Sequence, residues 1–189
     1  LKIRMALAAK KLEYRTVEIT PPIGQIDIFQ KTGQKKLPVL FDNEIAIHNS
    51  SSIIRYLEKI QIEPKLIPDD PKEASQAQII ENWSDTTLAK SIKLVFLEEI
   101  SKDPILISSL LTNEMSDSLK KLLLNLPLNI ANQISRLINQ DEKESLKFNL
   151  EYLTNVVEKE NFLVGKELSI ADISVASQLS LLNFPNSSG

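Results

Sequence analysis

The spacing of apolar residues along the first thirty positions predicts helix, strand and helix in that order. Residues 1–12, LKIRMALAAKKL, are strong helix formers with apolar side chains at helical intervals. The run from Tyr14 to Ile19 is typical of a short β-strand. The sequence PPIG at 21–24 breaks the chain, and residues 25–31 predict a short irregular helix.

Two short apolar runs further along predict a β-hairpin that leads into a third helix. Leu37–Phe41 and Glu44–Ile47 are joined by Asp42-Asn43, a pair that tolerates the positive φ of a tight turn. Asn49 and the two serines after it supply helix-capping side chains, and apolar residues then recur every three or four positions. The order αβαββα describes a thioredoxin-like α/β domain that lacks only its first strand.

A proline-rich connector separates this domain from the rest of the chain. The stretch EPKLIPDDP contains three prolines and has no periodicity. We therefore predict an α/β domain at 1–61, a linker at 62–70 and an all-helical domain at 71–189.

The predicted second domain contains helices alone. Asp70 and Pro71 have the pattern of an N-cap followed by a proline in the first turn, and the helix continues at 3–4-residue spacing to about Ile100. Further helices are predicted at 104–112, 115–125, 128–139 and 141–159, with a break or kink at Pro127.

Composition and charge narrow the class of protein. The 189 residues are 42% hydrophobic and 25% charged, with a net charge of -3 and no basic cluster, which argues against a nucleic-acid partner. Neither a membrane-spanning run nor a signal-peptide pattern is present, so we expect no membrane partner and a cytoplasmic location. The chain has no cysteine and one histidine, His48, so we expect neither a disulfide nor a metal site.

Two segments carry a resemblance to a known family. The sequence FLVGKELSIADISVASQLSLL, from Phe162 to Leu182, resembles the helix start with a Ser/Thr-x-x-Asp capping box in the C-terminal half of glutathione transferases. KKLPVLFDNEIAIHNSSSIIRYLE resembles the family's glutathione-binding proline strand and serine-containing helix start. The two segments stand in the family's order, about 130 residues apart. The chain thus resembles a soluble, bacterial-type glutathione S-transferase over nearly its whole length, most weakly across 101–140.

The capping box has a structural explanation of its own. Ser169 can accept a hydrogen bond from the Asp172 backbone N–H, and the Asp172 carboxylate can reach back to the Ser169 N–H. The carboxylate also meets the positive end of the helix dipole. We therefore predict a role for Asp172 in folding rather than in chemistry.

The resemblance implies a glutathione site at the proline strand. It implies a cis Leu37–Pro38 peptide bond, which would turn the Leu37 backbone outward to pair with the cysteinyl part of glutathione. The alternative is a trans proline that merely begins a strand. Lys36, with Lys35, would reach the glycyl carboxylate, although a solvated basic pair explains these lysines equally well.

The start of the third helix is the candidate site for the γ-glutamyl carboxylate. Asn49 and Ser50 lie at a helix N-terminus, which attracts anions. Family members usually carry an acidic residue or Gln at the position of Asn49, so this neutral amide cannot pair with the ligand's ammonium group. The alternative is that both residues only cap the helix. His48 borders the site, and an exposed or structural role fits a lone histidine better.

The resemblance leaves the thiol-activating residue unknown. In this family a Tyr, Ser or Cys just before or at the start of the first helix favours the glutathione thiolate. Leu1 already opens a helix-like stretch and Gly189 follows an apolar run, so we expect a fragment truncated at both ends with the activating residue upstream. Tyr14 follows the helix and does not replace that residue.

The implied function is glutathione-dependent conjugation of an electrophile, or reduction of a thiol or peroxide substrate, by a homodimer that uses glutathione as a substrate. The alternative is a non-catalytic binding or assembly module with the same fold. The residues upstream of Leu1 would discriminate between the two, because only an enzyme needs an activating side chain there.

Overall fold

A computed structural model of the chain describes residues 1–17, 19, 23–34, 37–102 and 140–182. The first part contains helix α1 (Lys2–Ala9), helix α2 (Ile23–Thr32), strands β1 (Val39–Asp42) and β2 (Ile45–His48), and helix α3 (Ser50–Ile60). The second part contains helix α4 (Pro71–Trp83), a π-helical turn (Ser84–Leu88), and helices α5 (Ala89–Lys102), α6 (Gln140–Glu160) and α7 (Ile170–Leu179), the last followed by a 3₁₀ turn (Ser180–Leu182).

The fold class predicted from the sequence is confirmed: a thioredoxin-like α/β half is followed by a helical half. The predicted strand at Tyr14–Ile19 is wrong, because the described residues of this segment, 14–17 and 19, form no strand. A strand needs a hydrogen-bonded neighbour. Among the described residues the sheet consists of β1 and β2, which pair with each other. Val17 in this segment is 71% exposed, and Ile19 is half-buried.

The predicted hairpin is confirmed. Strands β1 and β2 are antiparallel, with Val39 opposite His48 and Asp42 opposite Ile45. Asn43 in the turn has φ 52°, the left-handed conformation that asparagine tolerates better than most residues. The Tyr56 hydroxyl of α3 donates to Asp42 Oδ2 at 2.6 Å, which fixes the hairpin against the helix.

One hydrophobic core joins the two halves of the chain. Helix α1 packs on both α3 and α7, and α7 also packs on α4. Burying these faces is the main favourable contribution to folding. The buried members are Ile3, Ala6, Leu7, Ile53, Ile54, Leu57, Leu66, Ala77, Val164, Ile170, Ala171 and Ile173.

A second core lies among the later helices. Its buried residues come from the π-helical turn and helices α5, α6 and α7, and the partly buried Trp83 packs against it. Its fully or nearly fully buried members are Leu88, Ile92, Leu146, Leu153 and Val175.

The connector between α3 and α4 is held by a buried lysine. Lys10 Nζ donates to the carbonyl oxygens of Gln61 at 2.7 Å and Pro64 at 2.9 Å, and contacts Glu58 Oε1 at 2.7 Å. Glu58 in turn accepts from the Leu66 N–H at 3.0 Å. Residues 61–70 form no helix or strand. The domain boundary at 62–70 stays a prediction, and the connector is fixed by polar bonds at one end and by buried Leu66 at its centre.

The helical half begins as the sequence predicts. Asp70 accepts from the N–H groups of Lys72 and Glu73 at 3.0 and 2.9 Å, and Pro71 occupies the first turn. The long helix predicted after it is present but is interrupted by the π-helical turn. Helix α6 matches the helix predicted at 141–159. The helices predicted at 104–112, 115–125 and 128–139, and the break at Pro127, lie outside the described residues.

The capping box of α7 is confirmed. The Ser169 N–H donates to Asp172 Oδ2 at 2.8 Å, and the Ser169 Oγ caps the first turn of the helix. The other Asp172 oxygen accepts from the Leu163 N–H at 2.7 Å. Since Ser169 is 2% exposed, water cannot replace these bonds.

Removing either capping side chain is expected to destabilise the protein. We expect Ser169→Ala and Asp172→Ala each to lower the free energy of unfolding by about 0.5–2 kcal/mol, because each leaves N–H groups at the α7 start without an acceptor. The urea midpoint reports the change. Ser75→Ala, at an exposed position of α4, is the control and should stay within about 0.5 kcal/mol. Unchanged midpoints for both capping variants would contradict this role.

The hydrogen bond between Tyr56 of α3 and Asp42 of the hairpin predicts that Tyr56 loses its proton at a higher pH than a free tyrosine does. The hydrogen bond to the Asp42 carboxylate raises the pKa of Tyr56 above its usual value of 10.0. The stabilising effect of this bond is therefore present below pH about 10 and is lost as pH rises through the raised pKa. In a background with Tyr14→Phe and Tyr152→Phe, tyrosinate absorbance reports Tyr56 alone. We expect Asp42→Asn to lower its midpoint, and an unchanged midpoint would show that the carboxylate has no influence.

Candidate functional site

A broad open cleft of about 2290 Å³ lies between the α/β half and the helical half. One wall is built from α1, the irregular residues that follow it, the hairpin and the first turn of α3. The helical half contributes Asn82, Asp85, Ser177, Gln178 and Ser180. The cleft thus brings Leu37, Pro38, Asn49 and Ser50 together with polar side chains of the helical half.

The Leu37–Pro38 peptide bond is cis, as the resemblance implies, and the trans alternative is wrong. Leu37 is 54% exposed and lines the cleft together with Pro38. It precedes the first ladder pair, Val39 with His48. Within the described residues the ladder of β1 with β2 begins at Val39, so the backbone of Leu37 lies outside the ladder.

Asn49 caps α3, as its position before the helix predicts, and a role in ligand binding stays a prediction. It has φ 70°, and its Oδ1 accepts from the Ser51 N–H at 3.0 Å. Its backbone oxygen accepts from the Ile53 N–H at 2.9 Å. With Oδ1 accepting the cap bond, the Nδ2 amide of Asn49 supplies hydrogen-bond donors at this helix start.

Ser50 lies at the start of α3 and lines the cleft beside Asn49. Helix α3 has 11 residues and no acidic side chain in its first turn. The partial positive charge of its N-terminus is therefore not offset by the helix's own side chains. This arrangement suits a ligand carboxylate, with the Ser50 hydroxyl as an additional donor.

The remaining residues singled out in the sequence contribute less to the described site. Lys36 and Lys35 lie outside the described residues, and a role for Lys36 stays a prediction. His48 is exposed at the end of β2 and lines the cleft. Within the part of the chain that the structure describes, no group of three His, Cys, Asp or Glu side chains is placed to hold a metal ion.

A buried charge cluster at the floor of the cleft was missed by the sequence analysis. Lys2 Nζ contacts Glu81 Oε1 at 2.6 Å and Asp85 Oδ2 at 2.7 Å. The same Glu81 oxygen accepts from the Ser51 hydroxyl at 2.7 Å, and Asp85 Oδ1 accepts from Gln178 Nε2 at 3.3 Å. The cluster therefore connects α1, α3, α4, the π-helical turn and α7.

The sequence does hold a signal for this cluster. Glu81 follows Ala77 by four positions on the buried side of α4, where an acidic residue is rarely found without a partner. Lys2 places a cation in the first turn of α1, where the helix dipole disfavours it. Each residue is unfavourable alone, and together they form an ion pair.

Three exposed cations add positive charge around the opening. Arg4, Arg15 and Lys31 line the cleft from α1, from the irregular segment after it and from α2. The lining also includes Lys2 and the carboxylates of Glu13, Asp42 and Asp85, so the described lining carries four cations and three carboxylates. None of the helices that the structure describes is long and apolar enough to cross a membrane.

Comparison with known proteins agrees with this architecture. Residues 1–65 match the family model of the glutathione S-transferase N-terminal domain. A solved glutathione S-transferase from Rhodospirillum rubrum F11 superimposes with a TM-score of 0.70, at 21% identity, over 98% of this chain and 74% of that one. At this identity the superposition establishes the fold.

Two relatives, one named as an FtsZ-localized protein and one as a probable glutathione S-transferase, match different lengths of this chain. FtsZ-localized protein A of Caulobacter vibrioides is 22% identical over 97% of this chain and 72% of its own length. Probable glutathione S-transferase parA of Nicotiana tabacum is 31% identical over 45% of this chain and 38% of its own length. With the cis proline strand, the capped α3 and the helical half in one arrangement, this chain has the fold of the glutathione S-transferases, and its residues 1–65 match the N-terminal domain of that family.

Proposed function

We propose that the protein binds glutathione in the cleft and uses it as a substrate, either to conjugate a small electrophile or to reduce a thiol or peroxide substrate. The observation that carries the proposal is the convergence of two backbone features on one cleft. The residues that lead into β1, Leu37 and Pro38, and the N-terminus of α3 at Asn49 and Ser50 both line it. A tripeptide with a peptide-like centre and a carboxylate at each end fits such a pair of features.

The proposed binding mode assigns one part of glutathione to each feature. The cysteinyl N–H and C=O pair with the Leu37 backbone beside Pro38, as an added strand would. The γ-glutamyl carboxylate accepts from the Ser50 hydroxyl and from free N–H groups of α3, while Asn49 Nδ2 donates to the same end. The glycyl carboxylate lies toward Lys36, with the exposed Arg15 and Lys31 adding positive potential.

The second substrate would occupy the helical side of the same cleft. Asn82, Asp85 and Gln178 supply hydrogen-bonding groups there. Leu1 and Lys2 also line the cleft, so the start of α1 faces the region where the glutathione thiol would lie. A helix N-terminus or a hydroxyl donor at this position lowers a thiol pKa by favouring the thiolate. The activating side chain is the one expected before Leu1, in a protein that we propose acts as a cytoplasmic homodimer.

A non-catalytic binding or assembly module is the second candidate. The observation that favours it is the likeness to FtsZ-localized protein A, which extends over 97% of this chain. Such a module would keep the cleft and the buried core but would not need an activated thiol. Glutathione binding and glutathione turnover therefore have to be measured separately.

Removing the Ser50 hydroxyl is expected to weaken glutathione binding in the full-length protein. A hydrogen bond to a charged ligand group is worth about 1.5–3 kcal/mol, so Ser50→Ala should raise the Kd about 10-fold or more. Isothermal titration calorimetry measures this directly. Ser52→Ala is the matched control, because Ser52 is an exposed serine in the same helical turn that does not line the cleft. Equal affinities for the wild type and the Ser50 variant would place the site elsewhere.

The enzyme hypothesis and the module hypothesis predict different results in an assay of glutathione turnover. We expect the full-length protein to conjugate glutathione to 1-chloro-2,4-dinitrobenzene, or to reduce cumene hydroperoxide or a small disulfide with glutathione. Ser50→Ala should lower kcat/KM about 10-fold or more, in step with its effect on binding. Absorbance assays of product formation report both reactions. Binding without any of these turnovers would favour the module, and the absence of binding at millimolar glutathione would reject the proposed ligand.

A further inference from the structure

The cluster at the floor of the cleft holds more negative than positive charge. One lysine, Lys2, contacts two carboxylates, those of Glu81 and Asp85. The Lys2 and Glu81 side chains are 8% and 6% exposed, whereas the Asp85 side chain is 29% exposed. A buried charge is costly unless it is paired and hydrogen-bonded. Glu81 is the buried carboxylate of the cluster, and its role follows from the groups that it holds in place.

Glu81 lies between two helix N-termini. Its Oε1 accepts from Lys2 Nζ in the first turn of α1 and from Ser51 Oγ in the first turn of α3. Both helix starts line the cleft, but Glu81 itself does not. Since α4 carries Glu81, a residue of the helical half sets the separation of the two helix starts of the α/β half.

Ser51 is directly coupled to the cap of α3. Its N–H donates to Asn49 Oδ1 at 3.0 Å while its hydroxyl donates to Glu81. Ser50 lies between Asn49 and Ser51 in the chain. A shift of the Ser51 hydroxyl would therefore move the cap and the ligand-facing hydroxyl together.

Lys2 also offsets the negative charge that Glu81 brings to the start of α3. An unpaired carboxylate at the position of Glu81 would oppose the binding of an anion at this helix N-terminus. Lys2 Nζ lies 2.6 Å from the same Glu81 oxygen that Ser51 contacts. The lysine therefore offsets the negative charge while the hydrogen bond to Ser51 is kept.

We propose that Glu81 is a positioning residue for the glutathione site: through Ser51 it holds the cap of α3, and through Lys2 it fixes α3 relative to the start of α1. The inference takes its ligand, glutathione, from the proposed function. The contacts of Glu81 do not depend on that proposal. Asp85 and Gln178 extend the connection to α7, so a second substrate that contacts Asp85 would influence glutathione affinity through the same bonds. The helical half then takes part in glutathione binding without touching glutathione.

The test is a double-mutant cycle on glutathione affinity in the full-length protein. We expect Glu81→Ala and Ser51→Ala each to raise the Kd about 10-fold, and the double variant to bind no more weakly than the weaker single variant. Glu81→Gln keeps an acceptor for both partners and should bind within about 3-fold of the wild type. Circular dichroism at the titration temperature confirms that each variant is folded.

The matched control is the Ser91 hydroxyl, which donates to Glu142 Oε2 at 2.9 Å between α5 and α6. Ser91 is 3% exposed, and neither residue of this pair lines the cleft. Ser91→Ala removes the same kind of bond and should leave the Kd unchanged. Wild-type affinity in Glu81→Ala would overturn the inference. So would losses that multiply in the double variant, because Glu81 would then act by a route other than Ser51.

A second measurement does not depend on glutathione. Hydrogen exchange of the Ser51 and Ile53 amides reports the cap directly, since both N–H groups donate to Asn49. We expect exchange at these amides about 10-fold faster in Glu81→Ala and unchanged in Ser91→Ala. If the wild type does not bind glutathione, the proposed function fails while faster exchange still supports the positioning role. Unchanged exchange would overturn the positioning role even if glutathione binds.

Discussion

The structure depends on the burial of one short helix. Helix α1 has eight residues, and a helix of that length is not stable alone in water. It persists because Ile3, Ala6 and Leu7 are buried against α3 and α7. The α/β half and the helical half therefore share one core, and the cleft between them exists because both are anchored to the same helix.

Polar contacts at the two ends of α1 fix its orientation. At its C-terminal end the buried Lys10 holds the connector, and at its start Lys2 contacts two carboxylates of the helical half. The apolar contacts supply most of the stabilisation but are not directional. The lysine contacts are directional, so they specify how the two walls of the cleft face each other. This division explains why Lys2 and Lys10 are buried beside the apolar core of the described residues.

Local sequence signals predicted most of the fold. The caps at Asn49, Asp70 and Ser169 each depend on a few neighbouring residues, so they could be recognised without the tertiary structure. The strand predicted at Tyr14–Ile19 failed because a strand also requires a partner that its own sequence does not specify. At the candidate site, Leu37, Asn49 and Ser50 were found from motifs. The cluster of Lys2 and Glu81 was missed, since its members are 79 positions apart.

The π-helical turn at Ser84–Leu88 allows one continuous helix to serve two cores. A π-helical turn accommodates an additional residue, and one residue corresponds to a rotation of about 100° around the helix axis. Before the turn, Ala77 belongs to the first core and Glu81 contacts α1 and α3, whereas Leu88 at the end of the turn and Ile92 after it pack in the second core with α6 and α7. The direction of the apolar face after the turn therefore depends on the number of residues in the turn and not on which residues they are. Substitutions within the turn would preserve this direction. Deletion of one residue would turn the apolar side chains of one of the two cores toward solvent.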